Sequence, residues 1–258
     1  MESTQNSIYP PALVRALTIL EHLANDLSSL SIKELSDKLS IPHSSAYRIV
    51  KCLQEYGYLR EDPSQNEKYR LGFKTLFLSR MAFNGTNLIS ICAPYAKLLA
   101  EKTNQACQLC VLDDSHIITL DQSLPLQGIT VIARIGEAIP VNVSASGKVL
   151  MSLLPKSKRQ ELLKKKWRQF RKNTEHTIID VELFLEHLEE VSNQLYGTDI
   201  EEYSIGIGCI SVPIFDNNKE AIAAIGLTGS IAYYRSPERM SEMLSELRRA
   251  SGEISEQL

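Results

Sequence analysis

Ser31-Ile32-Lys33-Glu34-Leu35-Ser36-Asp37-Lys38-Leu39-Ser40-Ile41-Pro42-His43-Ser44-Ser45-Ala46-Tyr47-Arg48-Ile49-Val50-Lys51-Cys52-Leu53 contains two helix signals with a tight turn between them. Ser31 and Glu34 have the spacing of a capping box, in which the hydroxyl accepts a first-turn N–H and the carboxylate reaches back to the cap residue. Ile32, Leu35 and Leu39 form one apolar stripe. It is interrupted by Ser40-Ile41-Pro42 and resumes at Ala46, Ile49, Val50 and Leu53. Pro42 suits the first turn of the second helix, where a missing N–H costs nothing. This register leaves His43, Ser44, Ser45, Tyr47, Arg48 and Lys51 off the apolar face, as side chains able to donate to phosphates and base edges.

Downstream, Gly57 reads as a helix stop. Tyr58-Leu59-Arg60 and Lys68-Tyr69-Arg70-Leu71 alternate as strands around the turn-forming stretch Glu61 to Glu67, which places Arg60, Lys68 and Arg70 where they can meet a phosphate backbone. Upstream, Met1 to Tyr9 are polar and expected to be disordered. Pro10-Pro11 sets the start of a helix from Ala12 to Ala24, with Leu13, Leu17, Leu20 and Ala24 on one face, and Asn25 to Ser29 form a loop. Three helices and a hairpin predict a winged helix-turn-helix domain over residues 10–71.

Gly72 to Phe83 is rich in large apolar residues, and a linker helix is expected over 72–86. Phe73, Leu76, Phe77, Arg80 and Met81 give it a face suited to a neighbouring domain or a dimer, and Asn84-Gly85-Thr86-Asn87 ends it. A third region, 87–258, opens with a helix from Leu88 to Lys102 and turns to short β-prone runs: Ala106 to Leu112, Ile117 to Asp121 and Gly128 to Ala133. Asp113-Asp114-Ser115 is a hairpin signal. Ser146 or Gly147 opens a helix to Leu154, and Lys156 to Phe170 and Val181 to Tyr196 read as two more. Gly206 to Pro213 and Ala221 to Thr228 are strands around the turn Asp216 to Lys219, and Ser236 to Leu258 is a terminal helix. Strands in two sets with helices between them predict an α+β domain with an antiparallel or mixed sheet covered by helices.

The 258 residues, 43% hydrophobic and 23% charged, suit two domains of ordinary size. No apolar run reaches the roughly 18 residues of a membrane span, and no secretory signal is visible, so a cytoplasmic, nucleoid-associated protein is expected. Net charge is −3. The first 75 residues hold nine Lys or Arg against nine Asp or Glu, so any DNA affinity must come from where the cations sit rather than from their sum. Lys156 to Lys172 carries nine cations and one acid, a pattern that more often marks a solvated helix face than a second DNA surface. Five cysteines, spread from Cys52 to Cys209, do not form a disulfide framework.

Enzyme signatures fail in turn. Gly206-Ile207-Gly208 lacks a third glycine, because Ser211 stands there, and Gly147-Lys148 lacks the glycine of a P-loop five places earlier, at Asn142. Ser144-Ala145-Ser146-Gly147 is no nucleophile elbow. Cys107 and Cys110, three apart on a strand, point to opposite faces, and no second pair completes a zinc site. No cofactor, metal or catalytic residue is expected.

Arg15-Ala16-Leu17-Thr18-Ile19-Leu20-Glu21, Ile41-Pro42-His43-Ser44-Ser45-Ala46-Tyr47-Arg48 and Tyr69-Arg70-Leu71-Gly72 resemble the head of IclR-type bacterial transcription regulators. In the second half, Ser144-Ala145-Ser146-Gly147-Lys148, Tyr196-Gly197-Thr198-Asp199-Ile200-Glu201-Glu202, Gly206 to Asp216 and Ala223 to Gly229 are similar to that family's effector domain, in the same order. The resemblance covers residues 10 to 250. It implies a winged-helix head on a roughly palindromic double-stranded DNA operator, a linker helix, a GAF-like domain that senses a small molecule, and dimers that pair into tetramers. A repressor is the commoner role. The DNA-contact set is then Arg15, His43, Ser44, Ser45, Tyr47, Arg48, Lys51, Arg60, Lys68 and Arg70. By motif, the effector pocket includes Ala145, Ser146, Asp199, Cys209, Gly226 and Thr228.

The family pattern Ser-x-Ser-Gly in the last strand is Gly226-Leu227-Thr228-Gly229 here, so Gly226 is expected to leave room for a longer ligand. Free N–H groups at Ser146-Gly147-Lys148 suit a carboxylate, and Asp199 beside them suits a ligand hydroxyl, which together point to a hydroxy acid or sugar acid. Two other readings stand beside this one: a small-molecule enzyme fused to the head, and a C-terminal module acting only in oligomerisation.

Overall fold

The computed structural model describes residues 9–26, 29–82, 88–127, 130–167, 170 and 172–258. The chain divides into two compact units, up to Thr86 and from Asn87 onward. The expected disorder of Met1 to Ile8, and Asn84-Gly85-Thr86-Asn87 as the end of the linker helix, lie outside the described residues.

In the first unit, helices α1 (Pro11–Asp26), α2 (Ile32–Lys38) and α3 (His43–Glu55) precede strands β2 (Leu59–Asp62) and β3 (Gln65–Leu71), with the short β1 (Leu30–Ser31) completing an antiparallel sheet in the order β1-β3-β2. The capping box is present: Glu34 N–H donates to Ser31 Oγ at 3.2 Å and Ser31 N–H to the Glu34 carboxylate at 2.7 Å. Pro42 occupies the cap position, one residue before the helix rather than in its first turn. Ala46 and Val50 of α3 join Ile19, Leu23, Leu35, Leu59 and Tyr69 in one core.

Helix α1 departs from the expected stripe. Ile19 and Leu23 are buried, whereas Leu13 and Leu17 are 55% and 50% exposed. The helix carries apolar residues on two faces, and packing against α3 and β3 selects one of them. Helix α4 (Phe73–Ala82) follows the hairpin directly, with Phe73, Leu76, Phe77 and Met81 exposed within this unit.

The second unit is built on a six-stranded sheet in the order β6-β5-β4-β9-β8-β7. Its strands are β4 (Ala106–Asp113), β5 (His116–Ser123), β6 (Ala138–Pro140), β7 (Gly197–Ile200), β8 (Ile207–Phe215) and β9 (Ala221–Ser230), and every pairing is antiparallel. Helices α5 (Leu88–Thr103) and α10 (Pro237–Ser255) pack against one another and the sheet. Helix α6 (Ala145–Leu153) lies on β7, β8 and β9, with α8 (Val181–Gln194) against it. Helix α7 (Lys156–Lys166) and the short α9 (Ile231–Tyr234) complete the unit.

Several sequence expectations are corrected. Residues 130–133 form no strand, Gly128 and Ile129 lie outside the described residues, and the edge strand is instead Ala138–Pro140, where a single Ile between Ala and Pro gives no alternation to read. Helix α6 begins at Ala145 because Ser144 caps it, its Oγ accepting Gly147 N–H at 3.2 Å. Helix α7 stops at Lys166. Trp167 then turns its indole N–H to the Ile179 carbonyl at 2.8 Å, and Arg168, Gln169 and Arg171 lie outside the described residues.

Candidate functional site

In the head, Pro42, His43, Ser44, Tyr47 and Arg48 are exposed along one side of α3, opposite the buried Ala46 and Val50. Ser45 is half-buried and shares a groove with Ala12, Leu13, Arg15 and Ala16 of α1, into which Arg48 also faces. The other predicted cations are engaged internally. Lys51 Nζ donates to Tyr69 Oη at 2.8 Å and to Gln54 Oε1 at 3.2 Å. Arg60 lies 4.2 Å from the centre of the Phe73 ring, and Lys68 pairs with Glu34 at 3.4 Å. Arg70 is half-buried near Asp62, whose carboxyl is held far below the usual carboxylate range by the Ser29 and Ser64 hydroxyls, with a smaller contribution from the Arg70 charge. Arg60, Lys68 and Arg70, expected within reach of a phosphate backbone, are all part-exposed. The register that pairs Arg60 with Arg70 and Lys68 with Ser31 puts the three on the sheet face opposite the core residues Leu30, Leu59 and Tyr69.

In the second unit, sheet register assembles the pocket. Asp199 pairs with Cys209 across β7 and β8, and Cys209 pairs with Thr228 across β8 and β9, so the three stand in one row. The next row on that face is Ser211, Gly226 and Gln108. Gly197 lets β7 approach the start of α6 closely, because a Cβ there would strike the Ala145 carbonyl. The rows and α6 bound a cavity of about 370 Å³, lined by all six predicted effector residues and by Gln108, Arg134, Glu137, Tyr203 and Ser211 among others. Such a volume lies at the lower end of small-molecule sites.

Each polar group of this cavity has a defined state. Helix α6 leaves the N–H groups of Ala145 and Ser146 without partners inside the helix, while Gly147 N–H is taken by Ser144 and Lys148 N–H by the Ser144 carbonyl. The first-turn N–H groups left over are thus those of Ala145 and Ser146, whereas the sequence pointed to Ser146, Gly147 and Lys148. Ser146 Oγ donates to Ser211 Oγ at 2.9 Å, which donates to the Ile225 carbonyl at 3.0 Å. Asp199 Oδ1 accepts the backbone N–H groups of Glu202 at 2.6 Å and Tyr203 at 3.2 Å, leaving Oδ2 for other partners. Cys209 Sγ and Thr228 Oγ1 are 2.9 Å apart.

Gly226 does not provide the expected room. A Cβ there would meet the Ile210 carbonyl at 2.8 Å and Ser211 Cβ at 2.9 Å, so the Ser211 side chain already fills that volume.

Behind the pocket wall, Lys148 is fully buried and donates to the Thr198 carbonyl at 2.8 Å and to the Glu202 carboxylate. Burial pushes the Asp199 and Glu202 carboxyls above their ordinary range, and the Lys148 charge pulls both back. Burial, reinforced by the Asp199 charge, pushes the Cys209 thiol well up. Cys107 and Cys110 are also buried, and Cys110 is pushed up to about 11 by burial. Among the described residues no group of three or more His, Cys, Asp or Glu is placed to hold a metal ion, and no helix is long and apolar enough to cross a membrane.

Gln108, Arg134, Tyr203 and Ser211 were not anticipated as lining residues. Ser211 follows Cys209 by two on the same strand, so strand period could have found it. Gln108 needed the pairing of β4 with β9, and Arg134 the path of the loop between β5 and β6.

Comparison with known proteins agrees with both units. Residues 12–63 match the IclR helix-turn-helix domain and residues 81–256 match the bacterial transcriptional regulator IclR C-terminal domain. The chain belongs to the IclR family of bacterial transcriptional regulators. It is 28% identical over 247 residues to the HTH-type transcriptional regulator KdgR of Escherichia coli (strain K12), covering 96% of this chain and 92% of that one. To the transcriptional repressor IclR of the same organism it is 26% identical over 245 residues, covering 94% and 88%. The crystal structure of Thermotoga maritima IclR superposes with a TM-score of 0.75 at 25% identity, covering 95% of this chain and 98% of the other. As an IclR-family member, the chain is a DNA-binding transcription regulator with an α+β effector domain.

Proposed function

We propose that this regulator is a repressor whose hold on a roughly palindromic operator changes when a hydroxy acid or sugar acid occupies the cavity of the second unit. The observation that carries the reading is the composition of that cavity. The Ala145 and Ser146 N–H groups, which have no partner inside α6 and suit a carboxylate, share the cavity with the row Asp199, Cys209 and Thr228, suited to ligand hydroxyls. Ala145, Ser146, Asp199, Cys209 and Thr228 are the contacts, with Gly226 as floor. The repressor sign is supported by similarity to the repressor IclR.

The cavity binds without turnover. The Ser146 proton is committed to Ser211 rather than to a base, and the Cys209 thiol is raised, so neither is an activated nucleophile. In the head, His43, Ser44, Ser45, Tyr47 and Arg48 read the DNA with Arg15 beside them, and Lys51, Arg60, Lys68 and Arg70 support the reading surface. The working division is a head over 10–71, a linker helix over 72–86 and an effector domain over 87–258, with dimers that pair into tetramers in the cytoplasm.

The test is a thermal-shift screen of the full chain against hydroxy and sugar acids, followed by operator titration with each acid that binds. An acid that raises the melting temperature and changes operator affinity supports the reading. Acids that raise it and leave operator affinity unchanged contradict it.

A further inference from the structure

We propose that Arg134 is the residue that recognises the effector's carboxylate, so that the cavity selects an acid over its uncharged analogues. The inference rests on the effector-pocket reading above and names the group that gives the pocket its charge preference.

Three observations carry it. Among the described residues lining the cavity, Arg134 is the only cation, in a lining that also holds the acids Asp199 and Glu137. Lys148, the lysine of the pocket helix α6 itself, is spent behind the wall on Glu202 and the Thr198 carbonyl. Of the charged side chains lining the cavity, Asp199 and Glu137 repel an entering anion and Arg134 alone attracts it, adding to the α6 N–H groups.

Arg134 is also available. It is exposed, and among the described residues no ion pair or side-chain hydrogen bond engages it, not even with Glu137 three residues on.

Finally, the loop that carries it is held in place. Gln122 donates from Nε2 to the Val131 carbonyl at 2.8 Å and accepts Ala133 N–H on Oε1 at 2.9 Å, so a side-chain amide substitutes for a strand partner. Gly136 N–H, beyond Arg134, donates to the Thr119 carbonyl at 2.8 Å. A long, fully charged side chain is thereby anchored on both flanks at the edge of the cavity with its guanidinium unspent. Its planar fork of donors matches a carboxylate in two-pronged geometry, which an ammonium does not.

The experiment is isothermal titration of the full chain with aldonic acids from glycerate to gluconate and with their primary amides, for wild type, Arg134→Gln, Arg134→Lys and Glu137→Gln. An acid that binds wild type should bind at least tenfold tighter than its amide. Arg134→Gln should bring the acid down to the level of the amide, and Arg134→Lys should recover part of the difference. Glu137→Gln, which removes a competing negative charge, should tighten the acid and leave the amide unchanged, so the idea stays testable if Arg134→Gln melts early. Equal binding of acid and amide by wild type, or a tenfold acid preference surviving in Arg134→Gln, overturns the proposal while leaving the effector reading intact. Failure of every acid to bind wild type removes both.

Discussion

Lys51 Nζ donates to the Tyr69 hydroxyl at 2.8 Å, a bond that ties the reading helix to the wing. The phenol raises the lysine's affinity for its proton, and the Glu61 charge adds to that. Lys51 is thus engaged within the head, whereas among the described residues no ion pair or side-chain hydrogen bond engages Arg48, the other cation of α3 off its apolar face.

The two lysine and arginine roles separate by mutation. Arg48→Ala should lower operator affinity by about 1–3 kcal/mol, with relaxed sequence preference if the contact is to a base and a uniform loss if it is to phosphate. Lys51→Met should cost less than about 1 kcal/mol in binding, because its ammonium is already engaged and partly exposed. Fluorescence anisotropy on an operator selected from random DNA measures both, and a larger loss for Lys51→Met than for Arg48→Ala would reverse the assignment.

Phe73, Leu76, Phe77 and Met81 of α4 are 70%, 68%, 53% and 51% exposed, more apolar surface than an isolated helix presents to water without a partner. Burying it between two copies predicts that Phe73→Asp with Phe77→Asp shifts the protein toward monomer in sedimentation velocity. The same change should weaken binding to a full operator far more than to a half-site. An unchanged oligomer with unchanged full-site affinity contradicts the dimer through α4.

The buried cluster of Lys148, Asp199 and Glu202 sets a pH dependence whose sign follows from the direction of the shifts. Both carboxyls are raised from ordinary values of 3.8 and 4.5, so the folded domain holds protons that the unfolded chain releases first. The cluster's contribution to stability therefore falls as pH rises from that range through the folded values. Lys148 limits the fall. Lys148→Met leaves two buried carboxyls without their cation and should destabilise the domain by about 3–5 kcal/mol at pH 7. The deficit should be smaller at pH 5, where the carboxyls take up protons more readily. Melting curves at the two pH values decide it, and a deficit independent of pH contradicts the account.

The head was legible because its signals are local. A capping box, a 3.6-residue stripe and a hairpin turn each fix a few neighbouring residues, and the Ser31–Glu34 exchange forms as the spacing requires. The face of α1 was misread because two apolar stripes share that helix, and only its contacts with α3 and β3 choose between them. In the effector domain the strands and most helices could be read, but pairing β4 with β9 joins segments more than a hundred residues apart, and no local pattern announces it. The family resemblance points to Asp199, Cys209 and Thr228 one by one, and only the register puts them in one row. The misjudged space at Gly226 shows the limit most clearly. An absent side chain predicts room only when the neighbour's rotamer is known, and Ser211 occupies that volume.

The most direct test couples the two units. Full-length protein bound to a selected operator is titrated with the acid that raises its melting temperature most, for wild type and for Asp199→Asn. Losing a charged hydrogen bond at Asp199 should weaken the acid by about 1.5–3 kcal/mol. The predicted result is that saturating acid changes the operator Kd of wild type at least tenfold, and that Asp199→Asn needs correspondingly more acid to do the same. An operator Kd that stays constant while the acid demonstrably fills the cavity would contradict the claim that this domain controls DNA binding through its ligand.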